Sequence, residues 1–351
     1  MALAVTLGNF GAGLVMLMCG QFSLFCRLNV SQYNNKNSVI SVCFASCIFA
    51  VMCLFSNVAL AYTGVTIVMS SKTEANLAFV EQFKAELTSD ENNTLSLKVL
   101  ELPARKRLVV AENSELVIAL GEKALEAASK LSHTTPVLAV YTPRLAYEQI
   151  LEKSRRDASN MSMIMQNQPY ARQIHFIQLV LPAAKNIGSL VNGNSQAYGE
   201  QLKMRAEKKG LNLQLKHVND STRLLPELKT LLETNDALLA IPDTAIYKPD
   251  TAQPILMTSY QFKKPVLCYS LSYVKAGALA ALYSSSRQLA KQAAEIAQQS
   301  QYAGNPLPLP QVPKYFSVRV NRQVARLLNI EINSDMAIYQ ALLAADPLQN
   351  E

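Results

Sequence analysis

From Tyr62 onward the chain alternates short apolar runs with amphipathic stretches, and most runs end in a polar or phenolic cluster. Residues 66–69 are β-branched and apolar, and the run breaks at Ser70-Ser71-Lys72-Thr73. Leu77, Val80, Phe83 and Leu87 then recur at helical spacing. The same reading predicts strands at 95–100, 115–120, 136–141 and 160–165, with helices at 123–131 and 145–156. The series restarts near residue 169. A helix at 171–181 puts Ile174, Ile177 and Leu181 on one face, and a strand follows at 186–191. Ser195 suits the N-cap of the next helix and Gly210 its left-handed C-terminal position. Strands at 211–218 and 236–241 then alternate with helices at 222–233 and 251–262.

The stretch 264–299 organises the rest. It reads as a buried strand (266–269), a Ser/Tyr turn, a small-residue segment (276–282), a second polar loop (283–286) and an amphipathic helix. Pro306 to Pro313 (PLPLPQVP) reads as an extended linker, followed by a strand at 315–320 and a short helix at 322–328. Near-continuous apolar strands alternating with helices imply parallel sheets buried on both faces. About ten strands, restarting midway, exceed one comfortable sheet. The expected fold class is therefore α/β, with two doubly wound parallel-sheet lobes.

Residues 1–61 read differently. They hold Arg27 and Lys36 but no acid, and each of their two apolar runs approaches the ~20 residues that span a bilayer. Lys36, an apolar centre and the ending Val58-Ala59-Leu60-Ala61 match a secretory signal peptide cleaved before Tyr62. The rival reading is a membrane hairpin that stays attached. Five of the six cysteines lie in this leader, so the remaining body keeps Cys268 alone and no disulfide framework. The expected location is periplasmic or exported, with inner-membrane anchoring if the leader is uncleaved.

The formal charge of +7 is spread among acids on helical faces, without interleaved aromatics, so no nucleic-acid partner is expected. His133, His175 and His217 stand apart, with no metal spacing. No glycine-rich phosphate loop or nucleophile elbow occurs, so neither a cofactor nor catalysis is expected.

Ligands of open parallel sheets sit at the carboxyl ends of the strands. The residues following each expected strand are Ser70 and Ser71, Gly121 and Glu122, Tyr141 and Thr142, Gln166, Asn192 and Ser195, Asp243 and Thr244, Tyr269 and Ser270, and Tyr283 and Ser284. Hydroxyls, amides and phenols suit a small polar solute. Glu122 and Asp243 are the acids that could hold an ammonium, and the helix opened by Ser195 could accept a carboxylate. Each of these residues also serves as an ordinary cap or turn former, so the reading rests on their convergence.

The phrases IALGEKALEAA, VLAVYTP and LPAAKNIGSLVN occur in that order. With SYVKAGALAALYSSSRQLAKQAAEIA and YFSVRVNRQVARLLNIEI, they resemble the ABC transporter substrate-binding protein family. The likeness is to its type 1 periplasmic binding protein-like, tryptophan/tyrosine-type members, over residues 62–333. The resemblance implies two lobes joined by a multi-crossing hinge, 62–168 plus 286–304 and 169–285 plus 305–351. It also implies a solute clamped by lobe closure, no cofactor, and ABC permease and ATPase subunits as partners. Two positions depart from the family pattern. Gly121-Glu122-Lys123 stands where members commonly carry a Gly-Thr-Pro-like loop, and Met165-Gln166-Asn167 stands where a Val-Ser-Asp-like ending is common. The alternative is a membrane-tethered ligand-sensing or scaffold protein with the same lobes.

Overall fold

The computed structural model describes residues 64–88, 95–102, 115–243, 245–303 and 306–346. The leader expectations for residues 1–61 and the role of Thr244 lie outside these residues. No helix among the described residues is long and apolar enough to cross a membrane.

Five strands form the first sheet: β1 (Gly64–Met69), β2 (Ser96–Glu101), β3 (Glu115–Leu120), β4 (Val137–Val140) and β5 (Met161–Met163). Their order is β2-β1-β3-β4-β5, and every pairing is parallel. Alternate residues explain why both faces are apolar. Leu116, Ile118 and Leu120 of β3 enter one core, whereas Val117 and Ala119 enter the other. The first core is closed by α1 (Glu74–Thr88), through Phe79 and Phe83. The second is closed by α2 (Glu122–Ala128) and α3 (Arg144–Ser154), through Leu125 and Tyr147.

The second sheet repeats the scheme. It contains β6 (Asn186–Val191), β7 (Asn212–His217), β8 (Ala237–Leu239), β9 (Val266–Cys268), β10 (Ala280–Tyr283) and β11 (Ser317–Val320). The order is β11-β10-β9-β8-β6-β7, parallel except for the antiparallel β10–β11 pair. One face packs α4 (Tyr170–Val180) and α5 (Gln196–Glu207). The other packs α6 (Leu224–Thr234), α7 (Pro249–Gln261) and α8 (Leu271–Ala276). Both halves are thus three-layer α/β/α lobes, as the apolar patterning requires.

Most elements fall within a residue or two of their expected places. Gly210, at φ 76°, closes α5 with Leu211 N–H donating to Ala206 O and Gly210 N–H to Glu207 O, the hydrogen-bond pair of a Schellman turn. Two helices were not expected. The Ser/Tyr turn after β9 is the six-residue α8, capped by the Ser270 hydroxyl on Tyr273 N–H and closed by Gly277 at φ 127°. Six residues are too few to show a helical period. The C-terminal helix α11 (Asp335–Ala344), which follows α10 (Arg322–Leu327), buries Ile338 and Leu342 in the second lobe, in the core that α4 and α5 close.

The chain passes between lobes three times. It leaves the first sheet after β5 and enters the second lobe at α4. It returns after β10 into α9 (Ser286–Ala303), whose Leu289, Ala293, Ala294 and Ala297 lie in the first core. Leu307 also belongs to that core, and Gln311 pairs with Ile164 beside β5. The last crossing therefore follows Gln311, on the way to β11.

Candidate functional site

In each sheet the chain order reverses at one point, between β1 and β3 in the first and between β6 and β8 in the second. The loops leaving those strands diverge to opposite faces, and the crevice between them is where open α/β sheets take ligands. Ser70 and Ser71 follow β1, and Gly121 and Glu122 follow β3. Asn192 and Ser195 follow β6, and Asp243 follows β8. Parallel pairing brings Tyr141 and Thr142 (after β4), Gln166 (after β5), Tyr269 and Ser270 (after β9) and Tyr283 and Ser284 (around the end of β10) to the same edges of their sheets.

Several of these residues hold their own loop. Thr73 accepts from Asn76 N–H and caps α1, while Asn76 Nδ2 donates to the Ser71 carbonyl, which leaves the Ser70 and Ser71 side chains exposed. Gly121 opens α2 at φ 91°, a conformation that disfavours any side chain. Glu122 lies in the first turn of α2. Its side is shared by Glu126 and Lys130, and with Gln149 and Lys153 of α3 they line a surface groove of about 470 Å³.

Asp243 is nearly fully buried, and its carboxylate is already engaged. Oδ1 accepts from Ala245 and Ile246 N–H, and Oδ2 accepts from the Ser195 hydroxyl at 2.5 Å. Ser195 occupies the N-cap position of α5, as expected, but its hydroxyl makes no capping bond to the helix. It reaches across the switch point to Asp243 and accepts from Asn192 N–H. Ser284 is likewise engaged, accepting from Gln168 Nε2 at 2.9 Å and donating to the Tyr315 carbonyl at 2.6 Å.

The phenols are less committed. Tyr141 follows β4 with φ 60°, a left-handed conformation uncommon for a bulky residue. Its ring meets Phe79 edge-on, and its buried hydroxyl has no hydrogen-bond partner. Burial pushes its pKa up to about 12. The buried Thr142 hydroxyl also lacks a partner. In the second lobe Tyr247 packs edge-on against both Tyr269 and Tyr273, at 6.2 and 6.0 Å between ring centroids. The buried Tyr247 and Tyr273 hydroxyls are unpartnered, and burial raises Tyr269 to about 12.

Tyr247 and Tyr273 were not among the expected site residues. They lie four residues beyond Asp243 and Tyr269, so only the aromatic letter itself marked them. Lys72 and Glu101, an exposed ion pair at 3.4 Å between the ends of β1 and β2, were also missed. Cys268 is an inert core thiol, with burial raising its pKa to about 12. Among the described residues no cluster of His, Cys, Asp and Glu is placed to hold a metal ion.

The profile of the ABC transporter substrate binding protein family matches residues 80–341. The chain belongs to that family. It is a family of solute-binding proteins, not of enzymes. Among solved structures, the ABC domain in complex with L-Trp from Streptococcus pneumonia is similar over 80% of this chain and 98% of that one, at 16% identity and TM-score 0.58. A ligand-free, open substrate binding protein with adhesive properties from Clostridium difficile matches 78% of this chain and 96% of that one, at 17% identity and TM-score 0.59. A conserved domain protein from Vibrio cholerae matches 80% and 97%, at 20% identity and TM-score 0.57. These likenesses establish the type 1 periplasmic binding fold. No curated protein matches the chain.

Proposed function

We propose that this protein binds one small polar solute between its lobes and presents it to an ABC permease driven by an ATPase subunit. The observation that carries the reading is the pair of matching switch points joined by three crossings, in a chain of the substrate-binding family. We assign the first lobe to residues 62–168 with α9 and the segment through Gln311, and the second to 169–285 with the tail. Lobe closure is the working step, and the protein performs no chemistry.

The contacts we assign to the solute come from both lobes. Ser70, Ser71, Gly121, Tyr141, Thr142 and Gln166 supply the first wall. Asn192, Tyr269, Ser270 and Tyr283 supply the second. Ser195, Asp243 and Ser284 shape the loops through their mutual bonds, and Glu122 borders the site from the start of α2. The unpartnered Tyr141 and Thr142 hydroxyls favour a ligand that exchanges neutral hydrogen bonds and stacks on a ring. The similar structure bound to L-Trp makes aromatic amino acids the first class to test. Members of this family act outside the cytoplasm, which fits a leader that directs export.

The test is a thermal-shift screen of amino acids, amines, small acids and neutral ring compounds, followed by calorimetry on any hit. The expected result is one site per monomer, with affinity lost at least tenfold in Tyr141→Ala and Tyr269→Ala. Folded protein that responds to none of these classes overturns the reading.

A further inference from the structure

One polar network ties all three crossings together. Gln168, on the first crossing, donates through Nε2 to Ser284 Oγ on the second at 2.9 Å. Ser284 passes the bond on to the Tyr315 carbonyl on the third at 2.6 Å. Arg172, in the first turn of α4, donates through one terminal nitrogen to Gln168 Oε1 at 2.7 Å and to the Pro313 carbonyl at 2.9 Å. Its Nε donates to Asp346 Oδ2 at 2.8 Å, and its other terminal nitrogen pairs with the same oxygen. The guanidinium lies 4.2 Å from the centre of the Phe316 ring. Gln168, Arg172 and Asp346 are 4%, 2% and 2% exposed.

Three features separate this network from ordinary packing. It joins segments distant in sequence, 116 residues apart for Gln168 and Ser284 and 174 for Arg172 and Asp346. It sits where the chain passes between lobes and borders the second lobe's core through Phe316. It also reaches the C-terminal tail, beyond the last turn of α11. A buried ion pair adds little net stability over apolar packing, because desolvation opposes its attraction, but removing one partner leaves the other charge buried and uncompensated.

We propose that Gln168, Arg172, Ser284 and Asp346 form a hinge clasp, through which the C-terminal tail sets the resting angle between the lobes. These are positioning residues: they act on closure through the crossings and lie apart from the solute-contacting set. The inference rests on lobe closure as the working motion, but its test needs no ligand.

Two dyes placed through non-natural amino acids at the exposed positions 84 (α1) and 229 (α6) of the full chain report the interlobe distance by single-molecule energy transfer. Asp346→Asn and Ser284→Ala are compared with Tyr147→Phe, which removes a buried bond inside the first lobe from the Tyr147 hydroxyl to the Met161 carbonyl at 2.7 Å. Circular dichroism checks that each variant folds. The clasp predicts a shifted or doubled distance distribution in Asp346→Asn and Ser284→Ala, and the parent distribution in Tyr147→Phe. Ser284→Ala keeps the buried charges intact, so it remains informative if Asp346→Asn fails to fold. A parent-like distribution in folded Ser284→Ala, or an equal change in Tyr147→Phe, overturns the proposal. The solute-binding reading fails separately, through a silent thermal-shift screen.

Discussion

The Ser195 hydroxyl donates to Asp243 Oδ2 at 2.5 Å, across the point where the second sheet reverses its order. The bond ties the loop after β6 to the loop after β8. Both groups are buried, at 1% and 3% exposure, so neither can turn to water if its partner is lost.

Ser195→Ala therefore leaves a buried carboxylate oxygen without its donor and Asn192 N–H without its side-chain acceptor. The expected cost is about 1–3 kcal/mol. Urea unfolding checks it: the midpoint should fall while the slope with denaturant is unchanged. A midpoint equal to the parent's would show that the bond contributes nothing net.

Gly188 tests the packing of the second lobe. It lies in β6, paired on both sides by β7 and β8, and a Cβ there would stand 2.6 Å from Leu231 Cγ of α6. Leu231 is fully buried and cannot swing aside. Gly188→Ala should destabilise by about 1–3 kcal/mol through overpacking. Thermal unfolding is the measurement, and a melting temperature at or above the parent's would contradict this geometry.

Asp236 gives a pH dependence. Its Oδ2 accepts from Lys185 and Asn186 N–H at 2.9 and 2.8 Å, and these bonds, with Asn186 foremost, hold its pKa below the ordinary 3.8. A depressed carboxylate stabilises the fold fully above its unfolded value and loses that contribution as pH falls through the folded one. The carboxylate is largely solvated, so the effect is modest. Asp236→Ala should be less stable than the parent at pH 7, with the gap closing below pH 3.8 toward the depressed value. Unfolding midpoints compared across that range decide it, and a gap independent of pH would contradict the assignment.

Much of the fold is legible in the chain itself. β6 spans the expected 186–191, and the apolar runs expected at 66–69, 115–120 and 136–141 each form a strand within two residues of those bounds. The restart near residue 169 is the observed passage into the second lobe. Strand and helix periods are local properties, repeated over a few residues, so hydrophobic alternation and spacing encode them directly. The loop residues at the strand ends follow from the same periods, because parallel strands must deliver their ends to one edge.

Tertiary structure alone decided what those residues do. Nothing local marks Ser195 as a partner of Asp243, 48 residues away, in place of its own helix. Nothing marks Arg172 as the partner of Asp346, 174 residues on, or the six residues of α8 as a helix. Such pairings depend on how two sheets and three crossings close in space. A contact between distant segments leaves no period in the chain, so the order of hydrophobic and polar residues built the two lobes but could not say which polar groups would meet between them.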